Sequence, residues 1–300
     1  MPLVQYITSI RGRANLEAAF EVVLNRQSVS RLIYYPPTCL SGLHLAAYFG
    51  LKDAFIVTLE RSGTERNNGQ LTIEIDVNVR DYADFTPLFY AVMGGKADFI
   101  AWLLSIDEVE VNSKRHNHPC TPIHTGISIG NMAVILPFIE SDKADLNSQD
   151  TWGMTALAEA TKRGYVGIVK ALVESNRVDV NLEDNSNQTP LSIAAERGLV
   201  EVVRLFLGTG KVNANQVDVF GRTPLHNALH TSPGETARCL LESGQIDASL
   251  SAQDRSGRTP LREALNSLGR DHSITELILD RMEAIGIKRE DALQAAEYTQ

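Results

Sequence analysis

Thr189-Pro190-Leu191-Ser192-Ile193-Ala194-Ala195-Glu196-Arg197-Gly198 is the stretch whose reading decides how this chain folds. Thr189 has the hydroxyl of a helix N-cap. Pro190 follows at the first helical position, where its missing N–H costs nothing and its φ is already helical. Leu191, Ala194 and Ala195 then fall on one helical face, and two small alanines there allow a second helix to approach closely. Gly198 is the residue type that ends helices. A further helix is predicted over Leu199–Leu207, with Val202, Val203, Leu205 and Phe206 as its apolar face. Neither short helix can bury that face alone.

The phrase recurs. Related segments begin at Ser41, Thr86, Thr121, Thr155, Thr223 and Thr259, giving steps of 45, 35, 34, 34, 34 and 36 residues. A near-constant period in this range marks stacked helix pairs, each completing its neighbour's core, rather than a globular core around one pocket. The prediction is an all-α repeat solenoid.

The phrase T-P-L-H-x-A-A-x-x-G resembles the ankyrin repeat, and so does its continuation into an apolar second helix, Val-Asn and an Asp-x-x-Gly turn. Val180-Asn181 with Asp184, Asp150-Thr151-Trp152-Gly153 and Asp254-Arg255-Ser256-Gly257 carry the turn. The linker spacing is similar to that of repeats common in fungal proteins. The resemblance implies a helix-turn-helix stack whose β-hairpin turns project as fingers, with the first helices lining a concave groove. It also implies structural hydrogen bonding for the motif histidines His44, His124 and His226.

Residues 1–35 read as degenerate N-terminal capping helices, formed by Leu3–Ile10 and Leu16–Leu24 around Arg11-Gly12-Arg13. Residues 36–268 form the stack, and 269–300 supply C-terminal capping helices over Ile274–Ile285 and Glu290–Tyr298. Two caps imply a complete stack. The long first step places an insertion at about 61–76: a polar surface loop over Gly63–Gln70, then a short strand pair over Leu71–Val77.

Composition narrows the function. The net charge of −9 argues against a general nucleic-acid binder, which needs a concentrated positive face. Three scattered cysteines, Cys39, Cys120 and Cys239, do not make a disulfide framework and fit a reducing compartment, cytoplasmic or nuclear. No stretch approaches the about 20 apolar residues of a membrane span. Gly208-Thr209-Gly210-Lys211 lacks the first glycine and the final Ser/Thr of a phosphate loop. His116-Asn117-His118-Pro119-Cys120 with His124 is the densest polar cluster. Structural zinc needs four converging ligands, so neither a metal nor a cofactor is expected.

Mapped through the resemblance, the variable groove positions divide in two. The N-terminal half offers Tyr48, Phe49, Tyr82, Phe85, Met93, His118, Trp152 and Met154. The C-terminal half offers Lys162, Arg163, Arg197, Phe220, Arg222, Arg255 and Arg258. Aromatic and arginine side chains concentrate binding energy at interfaces. The expectation is therefore a non-catalytic scaffold holding a protein segment with apolar and acidic residues, extended or helical. The competing expectation is a cofactor-free small-molecule binder, or an unusual cyclase or isomerase, in which His118, His124 or Asp150 titrates inside an aromatic pocket. The sequence leans away from an enzyme.

Overall fold

The computed structural model describes residues 41–62, 65–67, 70–72, 76–116, 118–231, 234–270 and 272–298. The capping helices expected over residues 1–35 lie outside them. The chain divides after Asp145 into two compact units.

In the first unit, helix pairs α1 (Gly42–Phe49) and α2 (Lys52–Ser62), α3 (Pro87–Met93) and α4 (Ala97–Leu104), and α5 (Pro122–Ile129) and α6 (Met132–Glu140) come one after another. First helices pack on first helices, α1 on α3 and α3 on α5, and α4 packs on α6. Phe55, Phe89, Ile100, Leu103, Ile127, Ile135 and Phe138 are fully buried between them. Each such side chain contributes about 1.5–3 kcal/mol relative to exposure. The approach is close: a Cβ on Gly94 would lie 1.9 Å from the Tyr48 carbonyl oxygen, so no other residue fits there.

The second unit continues with α7 (Ala156–Arg163) and α8 (Val166–Glu174), α9 (Pro190–Glu196) and α10 (Val200–Gly208), α11 (Pro224–Thr231) and α12 (Glu235–Glu242), and α13 (Pro260–Leu268) and α14 (Ser273–Ala284), then α15 (Arg289–Tyr298). The inner row runs α7, α9, α11, α13 and the outer row α8, α10, α12, α14, each helix packing on the next in its row. The caps are as the sequence predicts. Thr189 Oγ1 accepts from the Ser192 amide at 3.2 Å, and Gly198 sits in the left-handed region at φ 68°. The helix predicted over Leu199–Leu207 starts and ends one residue later.

An asparagine ladder ties the linkers together. Within the first unit, the Asn78 side chain donates to the Glu108 carbonyl (2.7 Å) and accepts from the Glu110 amide (2.8 Å). Asn112 does the same for Lys143 and Asp145, both at 2.8 Å. Within the second unit, Asn147 clasps Arg177 and Asp179, and Asn181 clasps Lys211 and Asn213. The Asn of the Val-Asn motif thus satisfies a donor and an acceptor that the irregular linker leaves open.

The insertion differs in detail from expectation. The strands lie earlier, β1 at Glu65–Asn67 and β2 at Gln70–Thr72, paired antiparallel with Asn67 opposite Gln70. Residues 63, 64, 68, 69 and 73–75 of the expected loop and strand pair lie outside the described residues.

Candidate functional site

The projecting turns are built from one device. Asp81, Asp150, Asp184, Asp218 and Asp254 each accept, through Oδ1, the backbone amides two and four residues on, at 2.8–2.9 Å. The fourth residue of each turn, Asp84, Gly153, Asn187, Gly221 or Gly257, has a positive φ between 56° and 74°. Asn, Asp and Gly tolerate that region best. In the second unit, single backbone bonds join neighbouring fingers: Asn185 to the Trp152 carbonyl (2.9 Å), Val219 to Ser186 (3.0 Å) and Arg255 to Phe220 (2.9 Å).

The motif histidines anchor these fingers to the helices. His226 Nδ1 accepts from the Thr223 amide (3.2 Å) and hydroxyl (2.9 Å), while its Nε2 donates to the Arg258 carbonyl of the next finger (3.1 Å). His44 repeats the pattern with Ser41 and the Phe85 carbonyl. Burial holds both imidazoles below their ordinary pKa, against the opposing pull of those carbonyls and nearby carboxylates. His124 is buried, its Nδ1 accepting from Thr121.

The finger at 116–120 departs from the pattern, with His116 at the Asp position and Pro119 at the positive-φ position. His116 turns instead to Asp84, donating from its amide at 2.7 Å, with its ring Nδ1 at 2.5 Å. Burial pushes the Asp84 carboxyl up, but these bonds and the Arg80 guanidinium outweigh it and bring the pKa down to about 2. His118 is exposed. The structure therefore assigns His116 and His124 to separate scaffold bonds. Asp150 likewise spends Oδ1 on its own turn.

Of the aromatic positions, Tyr82, Trp152 and Phe220 stand out at 78%, 66% and 58% exposure. Tyr48, Phe49, Phe85 and Met93 are half-buried. Phe49 meets Tyr48 edge-on, and Phe85 lies beneath Arg115, 4.1 Å from the ring centre. Met154 is corrected from surface to interior. It is 2% exposed and packs with Ala158 and Ile193, whose apolar surfaces draw its side chain inward.

The basic set separates as well. Lys162, Arg163, Arg197 and Arg255 are exposed, and Arg163 pairs with Glu159 at 2.6 Å. Arg222 and Arg258 are occupied within their own fingers: Nε of each lies 3.0 Å from Oδ2 of Asp218 or Asp254. Those aspartates are 4% and 8% exposed, and Arg222 also lies over the Phe220 ring.

What the sequence reading missed is a 510 Å³ pocket in the second unit lined by Lys162, Asp184, Gln188, Ile193, Glu196, Arg197 and Thr231. It opens where Gln188 replaces the arginine found at the same step in the two later fingers. The change from Asp-x-x-x-Gln at Asp184 to Asp-x-x-x-Arg at Asp218 and Asp254 was the available signal.

Stacked helix pairs with capped fingers define the class, a helix-turn-helix repeat protein. A family model described as Ankyrin repeats (3 copies) matches residues 129–216 and 201–291, more than half of the chain, and the chain belongs to that family. Alpha-latrotoxin-Lg1a of Latrodectus geometricus is 26% identical over 148 residues, 48% of this chain. The match spans 11% of that relative's length. Among solved structures, the ankyrin repeat domain of Bcl-3, a member of the IkappaB protein family, is similar with a TM-score of 0.65 at 22% identity, covering 80% of this chain and 98% of that one. The human ASB11 ankyrin repeat domain gives 0.57 at 24% identity, covering 81% and 98%. Both likenesses are of fold. Among the described residues no helix is long and apolar enough to cross a membrane.

Proposed function

We propose that this chain is a non-catalytic module that holds an extended segment of a partner protein along its fingers and inner helices. Ankyrin repeat stacks in general mediate protein–protein interaction. The observation that carries the reading is the pair Trp152 and Phe220. They occupy the same position of two fingers, are both largely exposed, and sit on backbones held by Asp150 and Asp218 and by finger-to-finger bonds. Large side chains on a fixed backbone bind with little ordering cost. The exposed Lys162, Arg197 and Arg255 add favourable sites for a partner's carboxylates.

Affinity capture from extract of the source cells tests this, comparing wild type with Trp152→Ala/Phe220→Ala. A discrete partner that protects the fingers at 150–155 and 218–223 from hydrogen exchange, and that the folded double variant fails to hold, is the expected result. Equal capture by both proteins, or protection elsewhere, overturns it.

A further inference from the structure

Two fingers of the second unit share one backbone and differ at three side chains, of which only Arg258, Gln188 in the other, reaches the turn's carboxylate or stands where it would. In the finger Asp254-Arg255-Ser256-Gly257-Arg258, Oδ1 of Asp254 accepts from Ser256 and Arg258 at 2.8 Å, and Asp254 and Arg258 close the turn at 2.9 Å. In Asp184-Asn185-Ser186-Asn187-Gln188 the same bonds measure 2.8, 2.9 and 3.0 Å. The backbones match. At Asp254, Oδ2 takes Arg258 Nε at 3.0 Å and a second guanidinium nitrogen at 2.9 Å, and the carboxylate is covered. Asp218 shows the same two contacts with Arg222, both at 3.0 Å.

At Asp184 the guanidinium is absent. Gln188 turns away and donates to Glu196 Oε2 at 2.8 Å. Oδ2 of Asp184 then has no partner among the described residues, the carboxylate is half-buried instead of covered, and the 510 Å³ pocket opens beside it. Glu196 adds a second carboxylate to the wall. Thr231 closes the far side and is tied down by its hydroxyl, which donates to the Glu196 carbonyl. Lys162 and Arg197 also line the pocket and make no ion pair among the described residues, so the wall sets two cations beside its two carboxylates.

We propose that this pocket takes an arginine side chain of the partner, whose guanidinium pairs with Asp184 in trans as Arg258 and Arg222 pair with Asp254 and Asp218 in cis. An acidic residue beside that arginine meets Lys162 and Arg197. The pairing is charge-assisted, with two N–H groups of one guanidinium converging on a single carboxylate oxygen, which suits a planar guanidinium better than an ammonium. The inference rests on the reading of the chain as a protein-binding module and specifies one residue of the segment bound.

The test needs no partner. The full chain, labelled with ¹⁵N, is titrated with acetyl-Arg-Glu-amide and, separately, with acetyl-citrulline-Glu-amide, which has the same shape without the charge. Saturable shifts at residues 184–188 and 196–197 are expected for the arginine peptide, with the citrulline peptide bound roughly tenfold more weakly or worse. Gln188→Arg installs the missing cis arginine. It is expected to fold with unchanged or higher Tm and to lose the shifts, while Asp184→Asn loses them without filling the site. Absence of saturable shifts, equal binding of the two peptides, or undiminished binding by a folded Gln188→Arg variant overturns the assignment. If wild type captures a protein through its fingers while the arginine peptide does not bind, the module reading stands and this inference alone falls. The reverse outcome sustains the pocket and removes the reading drawn from Trp152 and Phe220.

Discussion

A single imidazole shows how far residue-level reasoning carries. His226 presents Nδ1 to two donors and Nε2–H to a carbonyl, so the neutral ring is fully satisfied. Protonation adds a hydrogen where two already point. The folded pKa is lowered by burial, and His44 behaves alike. An unfolded imidazole takes up its proton near pH 6.5, so just below that value the unfolded chain binds more protons than the folded one. Stability from these rings is therefore intact above about pH 6.5 and declines on acidification, by at most about 1.4 kcal/mol per pH unit for each ring. Urea midpoints taken between about pH 7.5 and 5.5 should fall for wild type. The His44→Gln/His226→Gln variant should start lower and fall less steeply; a parallel fall would remove these rings as the cause. The structural role of such histidines was legible in the sequence, because three of them stand three residues after a capping Ser or Thr. The acceptor on the next finger was not, since it lies 32 residues away for His226 and 41 for His44.

At the scale of the element, one finger explains why a basic patch was overread. Arg222 and Arg258 stand four residues after an aspartate, and the turn folds that spacing into an ion pair facing inward. Charge counted along the chain says nothing about which charges have already been matched. Met154 misled for the same reason: its place in the turn was legible, but its direction was set by the apolar space beside Ala158 and Ile193. The correction has a measurable form. Arg222→Met leaves the Asp218 carboxylate, which is 4% exposed, without its counter-ion. Removing one partner of a fully buried pair is strongly destabilising, but solvent reaches Arg222, so about 1–2 kcal/mol is the expected loss. Arg255→Met removes an exposed charge and should change stability by about 0.5 kcal/mol or less. Thermal denaturation of the two variants decides it, and similar Tm values would mean that Arg222 is a surface charge after all.

For the molecule as a whole, repeat order in the sequence determines what touches what within each unit, because inner and outer helices meet their counterparts in the adjoining repeat. Stability in such a stack is close to a sum of repeat terms and nearest-neighbour terms. The period and the caps made this architecture legible from the sequence. The linker asparagines were visible there only as half of a Val-Asn motif, and their reach of about one repeat emerged from the fold. Asn181 is the informative member. It receives the Asn213 amide at 2.7 Å and donates to the Lys211 carbonyl at 2.9 Å, fastening one linker of the second unit to the next. Asn181→Ala leaves both linker groups without that partner, at a cost of about 1–3 kcal/mol reduced by whatever water recovers. In a nearest-neighbour stack the loss falls on one interface. Hydrogen exchange should therefore quicken at Asn213 and in α11 and α12, while α7 and α8 keep their protection, and the urea transition should broaden as the unit ceases to unfold in one step. Equal loss of protection across all four helices would show instead that the second unit is cooperative beyond its nearest neighbours, and that the ladder acts on the unit as a single body.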